Sequence, residues 1–126
     1  MKARTKVALM LFALAGGSCS PTGPNCDLQA FPGIRLTLTD ALSGAAPASS
    51  RAEITVSAAG GYIESITAEG VNVPGPHTLA EERAGVYDVV VQAEGYHEWN
   101  SLAVRVREGV CHVSTVALTA ALMPDE

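Results

Sequence analysis

Three histidines, His77, His97 and His112, are the side chains best suited to acid–base or metal chemistry, and their spacing argues against both roles. No two stand four residues apart, where they would share a helix face, and no Cys-x-x-Cys pair is present to complete a metal site. Cys111 and His112 are neighbours in a stretch that reads as strand, so they point to opposite faces and do not converge on one ion. The acidic pairs Glu81/Glu82 and Glu94/Glu98 could act as acid and base. Neither lies in an apolar setting that would separate two pKa values, so both read as solvated charge. There is no Gly-x-Ser-x-Gly turn and no glycine-rich phosphate loop. We therefore expect no catalytic residue, no metal and no cofactor. The nearest approach to a ligand site is Tyr96, His97 and Trp99, which include the single tryptophan of the chain. If exposed, Tyr96 and Trp99 could stack on a sugar or a peptide. If packed on the end of the domain, Trp99 would be a structural anchor.

The stretch that must position these residues is 85–96, Gly-Val-Tyr-Asp-Val-Val-Val-Gln-Ala-Glu-Gly-Tyr. Tyr87, Val89, Val91 and Ala93 alternate onto one face between two glycines, which predicts the central strand of the core. Residues 33–40 alternate as cleanly, with Ile34, Leu36 and Leu38 inward, and a turn follows from Asp40 to Gly44. Residues 51–59 form a second strand. Gly60-Gly61 marks a tight hairpin, because both central positions can then take positive φ. Residues 62–69 return as a weakly apolar edge. After a loop holding Pro74, Gly75 and Pro76, residues 77–80 form a short strand with Leu79 in the core. Residues 101–107 alternate with Leu102, Val104 and Val106 expected inside. The last strand, 110–122, changes parity part-way, and a β-bulge near Ser114 and Thr115 would bring both sets inward. About seven short strands, with turns every eight to twelve residues, predict an all-β antiparallel sandwich with Greek-key connections.

The N-terminus reads as an address. Lys2, Arg4 and Lys6 precede nine uncharged apolar residues, 7–15, and small residues follow. This is the pattern of a secretory signal peptide. As a helix, nine residues would rise only about 14 Å, too little to span a bilayer. The alternative is a buried helix of the mature fold. Removing the leader leaves five basic residues against thirteen acidic ones. Such a domain repels phosphate backbones, so no nucleic-acid partner is expected.

Residues 14–19, Leu-Ala-Gly-Gly-Ser-Cys, resemble the lipobox of bacterial lipoproteins, in which the cysteine becomes the acylated first residue of the mature chain. The resemblance implies lipidation at Cys19, a membrane partner through the anchor, and, with Ser20 following, delivery to the outer membrane. Gly16 departs from the pattern, which prefers leucine there; ordinary cleavage nearby would instead release a soluble protein. If Cys19 carries lipid, Cys26 and Cys111 remain, and an exported compartment favours their pairing as a disulfide. Otherwise they are two reduced, buried thiols. The expected organisation is a signal peptide over 1–18, the lipidated cysteine and a proline-containing tether over 19–32, the sandwich over 33–122 and a tail over 123–126.

Residues 85–96, followed by Val104-Arg105-Val106 and Val116-Ala117-Leu118, also resemble carboxypeptidase regulatory-like domains, as does 34–40 with Ser43, Gly44 and Pro47. The resemblance implies a transthyretin-like sandwich and a non-catalytic module that supports structure or binds envelope proteins or glycans. The family's usual strand pair around an Asp-x-x-Gly turn is missing between residues 59 and 84. Transthyretin-like folds include a ring-opening hydrolase ending Tyr-Arg-Gly-Ser; Met123-Pro124-Asp125-Glu126 does not match it. The expected function is a non-enzymatic, lipid-anchored cell-envelope module. The alternative is a secreted soluble domain binding carbohydrate or peptide at residues 96–99.

Overall fold

The computed structural model describes residues 26–125. The expected signal peptide, Cys19 and the first part of the tether lie outside them. Among the described residues, eight strands make two sheets. β1 (Ile34–Asp40), β4 (His77–Leu79) and β8 (Val116–Leu122) form a three-stranded sheet in the order β4-β1-β8. β2 (Arg51–Ala58), β3 (Ile63–Glu69), β5 (Gly85–Ala93), β6 (Trp99–Glu108) and the short β7 (Val113–Ser114) form the other, in the order β3-β2-β5-β6-β7. β5 is the middle strand, as its apolar run requires.

The inward side chains of both sheets make one core. Ile34, Leu36 and Leu38 of β1 meet Ala52, Ile54 and Val56 of β2 and Tyr87, Val89 and Val91 of β5, all fully buried. Burial of each larger aliphatic side chain stabilises the fold by about 1.5–3 kcal/mol, so this two-residue periodicity drives the sandwich. The turns follow their residues. Asp40 Oδ1 accepts the N–H groups of Leu42 and Ser43 at 2.8 and 2.9 Å, an Asx turn. Gly60 and Gly61 both sit at φ +98°, so the hairpin between β2 and β3 uses the freedom that only glycine has there.

Three features differ from the sequence expectation. Leu102 is exposed, not inside. Tyr87 faces Val104 and Val89 faces Ser101, so Asp88 alone stands opposite Leu102 and Ala103. Ala103 adopts φ +56° and its N–H donates to Asp88 Oδ1 at 3.0 Å. This bulge shifts the alternation of β6, so that Val104 and Val106 face inward on one side of it and Trp99 and Ser101 on the other.

The second difference is in residues 110–122, which are two strands rather than one bulged strand. β7 pairs with β6, and the chain then crosses at Thr115 to the other sheet, where β8 pairs with β1. Val113 therefore enters the core from one side, and Ala120 and Leu122 from the other. The crossover is fixed by Thr115 Oγ1 donating to the Pro32 carbonyl at 2.7 Å. Cys111 and His112 precede β7 and are not in a strand.

Third, β1 and β8 run parallel over their full length. The count is thus eight strands, and one pairing is not antiparallel. Alternation assigns a strand to a face but says nothing about the direction of its neighbour.

Candidate functional site

A constellation of titratable side chains lies where the lead segment, residues 26–33, crosses the end of the sandwich. This segment is held on both sides. Gly33 N–H donates to the Ala80 carbonyl at 3.0 Å, Glu82 N–H donates to the Phe31 carbonyl at 2.8 Å, and the Gly33 carbonyl accepts Val116 N–H at 2.8 Å. At its start Cys26 is bonded to Cys111, with Cα atoms 5.1 Å apart. The disulfide expected between Cys26 and Cys111 is therefore present.

The bond brings Asp27 and His112, the residues that follow each cysteine, together. His112 Nε2 is 2.8 Å from Asp27 Oδ1 and His112 Nδ1 is 2.5 Å from Glu82 Oε1. The same Glu82 oxygen accepts Phe31 N–H at 2.8 Å, and the Phe31 ring lies 4.3 Å from the imidazole, centre to centre. Only the imidazolium has a donor on both nitrogens, so two carboxylates, one at each nitrogen, favour the charged form of the ring. Partial burial pulls the His112 pKa down, but the hydrogen bonds to Glu82 and Asp27 outweigh it and hold the pKa above the ordinary histidine value. For Glu82, burial acts upward. The Phe31 N–H and the His112 ring outweigh it and keep the carboxyl below its ordinary value. Glu82 is an exposed charge, as the sequence suggests, and it is paired with His112.

An open cavity of about 430 Å³ adjoins this cluster, lined by Glu82 to Ala84 and by Glu108 to Val113. The chemistry on offer is limited. An imidazole donating through both nitrogens has no lone pair with which to take a proton. The neighbouring sulfur, Cys111, is committed to the disulfide. The cluster cross-links the lead segment to the sandwich. Its residues are separated by 30 and 85 positions, so no local motif reveals it. A usable signal existed: pairing Cys26 with Cys111 places an Asp beside a His.

The residues singled out for ligand contact do not make a common platform. Tyr96 is buried, not exposed. Its hydroxyl donates to Asp40 Oδ2 and accepts Ala48 N–H, both at 2.8 Å, tying the turn after β5 to the loop after β1. The Ser43 N–H, the Tyr96 hydroxyl and the Leu42 N–H together hold the Asp40 carboxyl below its ordinary pKa. His97 is exposed, with Nδ1 3.1 Å from Asp125 Oδ1. Trp99 is half-buried and packs against the core. His77 is almost fully buried, and its Nε2 pairs with the Val73 carbonyl at 2.8 Å. Among the described residues no three His, Cys, Asp or Glu side chains are grouped so as to hold a metal ion. Comparison with known proteins finds no matching family model, no matching curated protein and no matching solved structure.

Proposed function

We propose that this protein is a non-enzymatic module of the cell envelope, held to a membrane by acyl groups on Cys19 and acting as a structural or interaction domain. The observation that carries this reading is the Cys26–Cys111 bond. A disulfide between the two cysteines that remain after Cys19 fits an oxidising, exported compartment. It also fastens the chain to the sandwich seven residues after the proposed anchor, so the tether between them is short and crosses Pro21 and Pro24. The occupied state of His112 supports the same reading, since the titratable cluster at this end is engaged in holding the lead segment. Within this proposal the sandwich is of the transthyretin-like, carboxypeptidase regulatory-like kind, with outer-membrane delivery and an envelope protein or glycan as partner.

The alternative of a secreted soluble domain binding carbohydrate or peptide through Tyr96 to Trp99 is the weaker reading, because the Tyr96 hydroxyl and ring are taken up inside the domain. The test is fractionation of cells expressing the full chain or its Cys19→Ser form in the presence of radiolabelled palmitate. The expected result is label in the membrane fraction with the parent chain and none with Cys19→Ser. Unlabelled parent protein in the soluble fraction would overturn the anchor.

A further inference from the structure

His77 is only 9% exposed, yet its hydrogen bonding is incomplete. Nε2 lies 2.8 Å from the Val73 carbonyl oxygen. A carbonyl only accepts, so Nε2 carries a proton and, in the neutral ring, Nδ1 keeps its lone pair. Nδ1 makes no hydrogen bond among the described residues. None of their fully buried side-chain nitrogens and oxygens lacks a partner, so Nδ1 reaches solvent.

The loop before β4 fixes the ring in this orientation. Val73 is fully buried, the Pro74 carbonyl accepts Leu38 N–H at 2.9 Å, and Gly75 N–H donates to the Asn72 carbonyl at 3.2 Å. Gly75 adopts φ +86°, and a Cβ there would stand 2.8 Å from His77 Cδ2 and 2.9 Å from the Leu36 carbonyl oxygen. Glycine therefore lets the loop close over the Cδ2–Nε2 edge of the imidazole. The Nδ1 edge is left open. A largely buried nitrogen held with its lone pair unused is an exception that calls for a partner from outside the chain.

His77 lines an open cleft of about 570 Å³ at the lateral edge of the sandwich, together with Thr67, Glu69, Val71, Asn72 and Pro76. No lysine or arginine lines it. The side chains of Thr67, Glu69 and Asn72 make no hydrogen bond or ion pair among the described residues, although Arg51 stands opposite Glu69 on β2. The cleft thus offers one carboxylate, several neutral acceptors and two apolar surfaces, Val71 and Pro76. A phosphate or a uronic acid would meet Glu69 with like charge. A linear polyamine would find a single carboxylate. A ring that carries one ammonium group and several hydroxyls matches the whole set.

We infer that this cleft is a binding site for an amino sugar, with a ring hydroxyl donating to His77 Nδ1 and the ammonium group placed at Glu69. The inference rests on the reading above only in taking an envelope glycan as the source of such a ligand; it does not depend on the anchor.

Nuclear magnetic resonance of the full chain, labelled with ¹⁵N and titrated with glucosamine at low ionic strength, tests it. Saturable shifts are expected in the amides of residues 67–77. The His77 Nδ1 signal is expected to start as that of an unprotonated nitrogen and to move on binding, while His97 stays still. Glucose should bind more weakly, and glucose 6-phosphate and putrescine should leave these signals unmoved. Glu69→Gln should weaken glucosamine by about threefold, the scale of an exposed charge pair, and leave glucose unchanged. A protonated Nδ1 in the free protein, shifts that do not saturate, equal binding of glucose 6-phosphate or putrescine, or an unaltered affinity in Glu69→Gln would each overturn the site. Failure to bind in a chain that still carries palmitate on Cys19 would remove the site and leave the anchor standing.

Discussion

Removing the Cys26–Cys111 bond is the most informative perturbation of this fold. The bond closes a loop across 85 residues. In the chain-entropy model a loop of that length restricts the unfolded chain by about 4.6 kcal/mol at 25 °C. Unfolding a domain of about 100 ordered residues releases about 0.2 kcal/mol per degree, so the loss corresponds to a fall in Tm of about 20 °C. That full effect requires the lead segment to stay docked once the bond is gone. If residues 26–33 detach in the folded state, the native chain regains part of that freedom and the difference shrinks. The structure gives reasons for docking: the Phe31–Glu82 and Gly33–Ala80 backbone pairs and the clasp of His112 between Asp27 and Glu82. Scanning calorimetry of the parent and of the Cys26→Ala/Cys111→Ala double variant at pH 5.5 measures the difference. A fall of 15–25 °C is expected on this estimate. A fall below about 5 °C would refute the reasoning, because it would mean that the segment leaves the sandwich freely.

The clasp also sets a pH dependence. The folded-state pKa of His112 lies above its unfolded value, so its stabilisation is complete below the unfolded pKa and disappears as pH rises through the folded one. In the double-cysteine variant, proteolysis at the lead segment is expected to speed up from pH 5.5 to pH 9, and His112→Gln is expected to remove that dependence. Gly33→Ala should destabilise the fold by about 1–3 kcal/mol in urea titration, as overpacked sites do. A Cβ there would stand 2.6 Å from the Ala80 carbonyl oxygen, an atom held in the backbone. Leu36→Ala and Leu102→Ala delete the same atoms from opposite environments. The first is expected to cost about 2–5 kcal/mol. The second should stay within about 0.5 kcal/mol, since Leu102 is 69% exposed.

Much of the architecture is legible in single residues. Ile34, Leu36 and Leu38, and Tyr87, Val89 and Val91, announce their strands because each side chain gains from one face and the pattern repeats every second position. Gly60-Gly61 announces its hairpin because both positions need positive φ. Cys26 and Cys111 pair as the exported reading expects. The failures share one physical cause, dependence on a partner distant in the chain. Leu102 faces out because Asp88, on the neighbouring strand, takes the Ala103 N–H and stabilises an extra residue. The parity change before Val116 is a passage between sheets, which alternation alone cannot distinguish from a bulge. His112 looked isolated because its carboxylates arrive from segments that only the fold brings near. Tyr96 looked available for stacking, yet its hydroxyl sits between Asp40 and Ala48, two groups unrelated to it in sequence.

The proposed lipid anchor at Cys19 and the Cys26–Cys111 bond can be read together in one molecular species. Intact mass spectrometry of the protein extracted from membranes, alkylated without reduction, tests this reading most directly. The expected species begins at Cys19, carries acyl groups and takes up no alkyl group at Cys26 or Cys111. A species that retains residues 1–18, lacks acyl mass, or alkylates at both cysteines would contradict it.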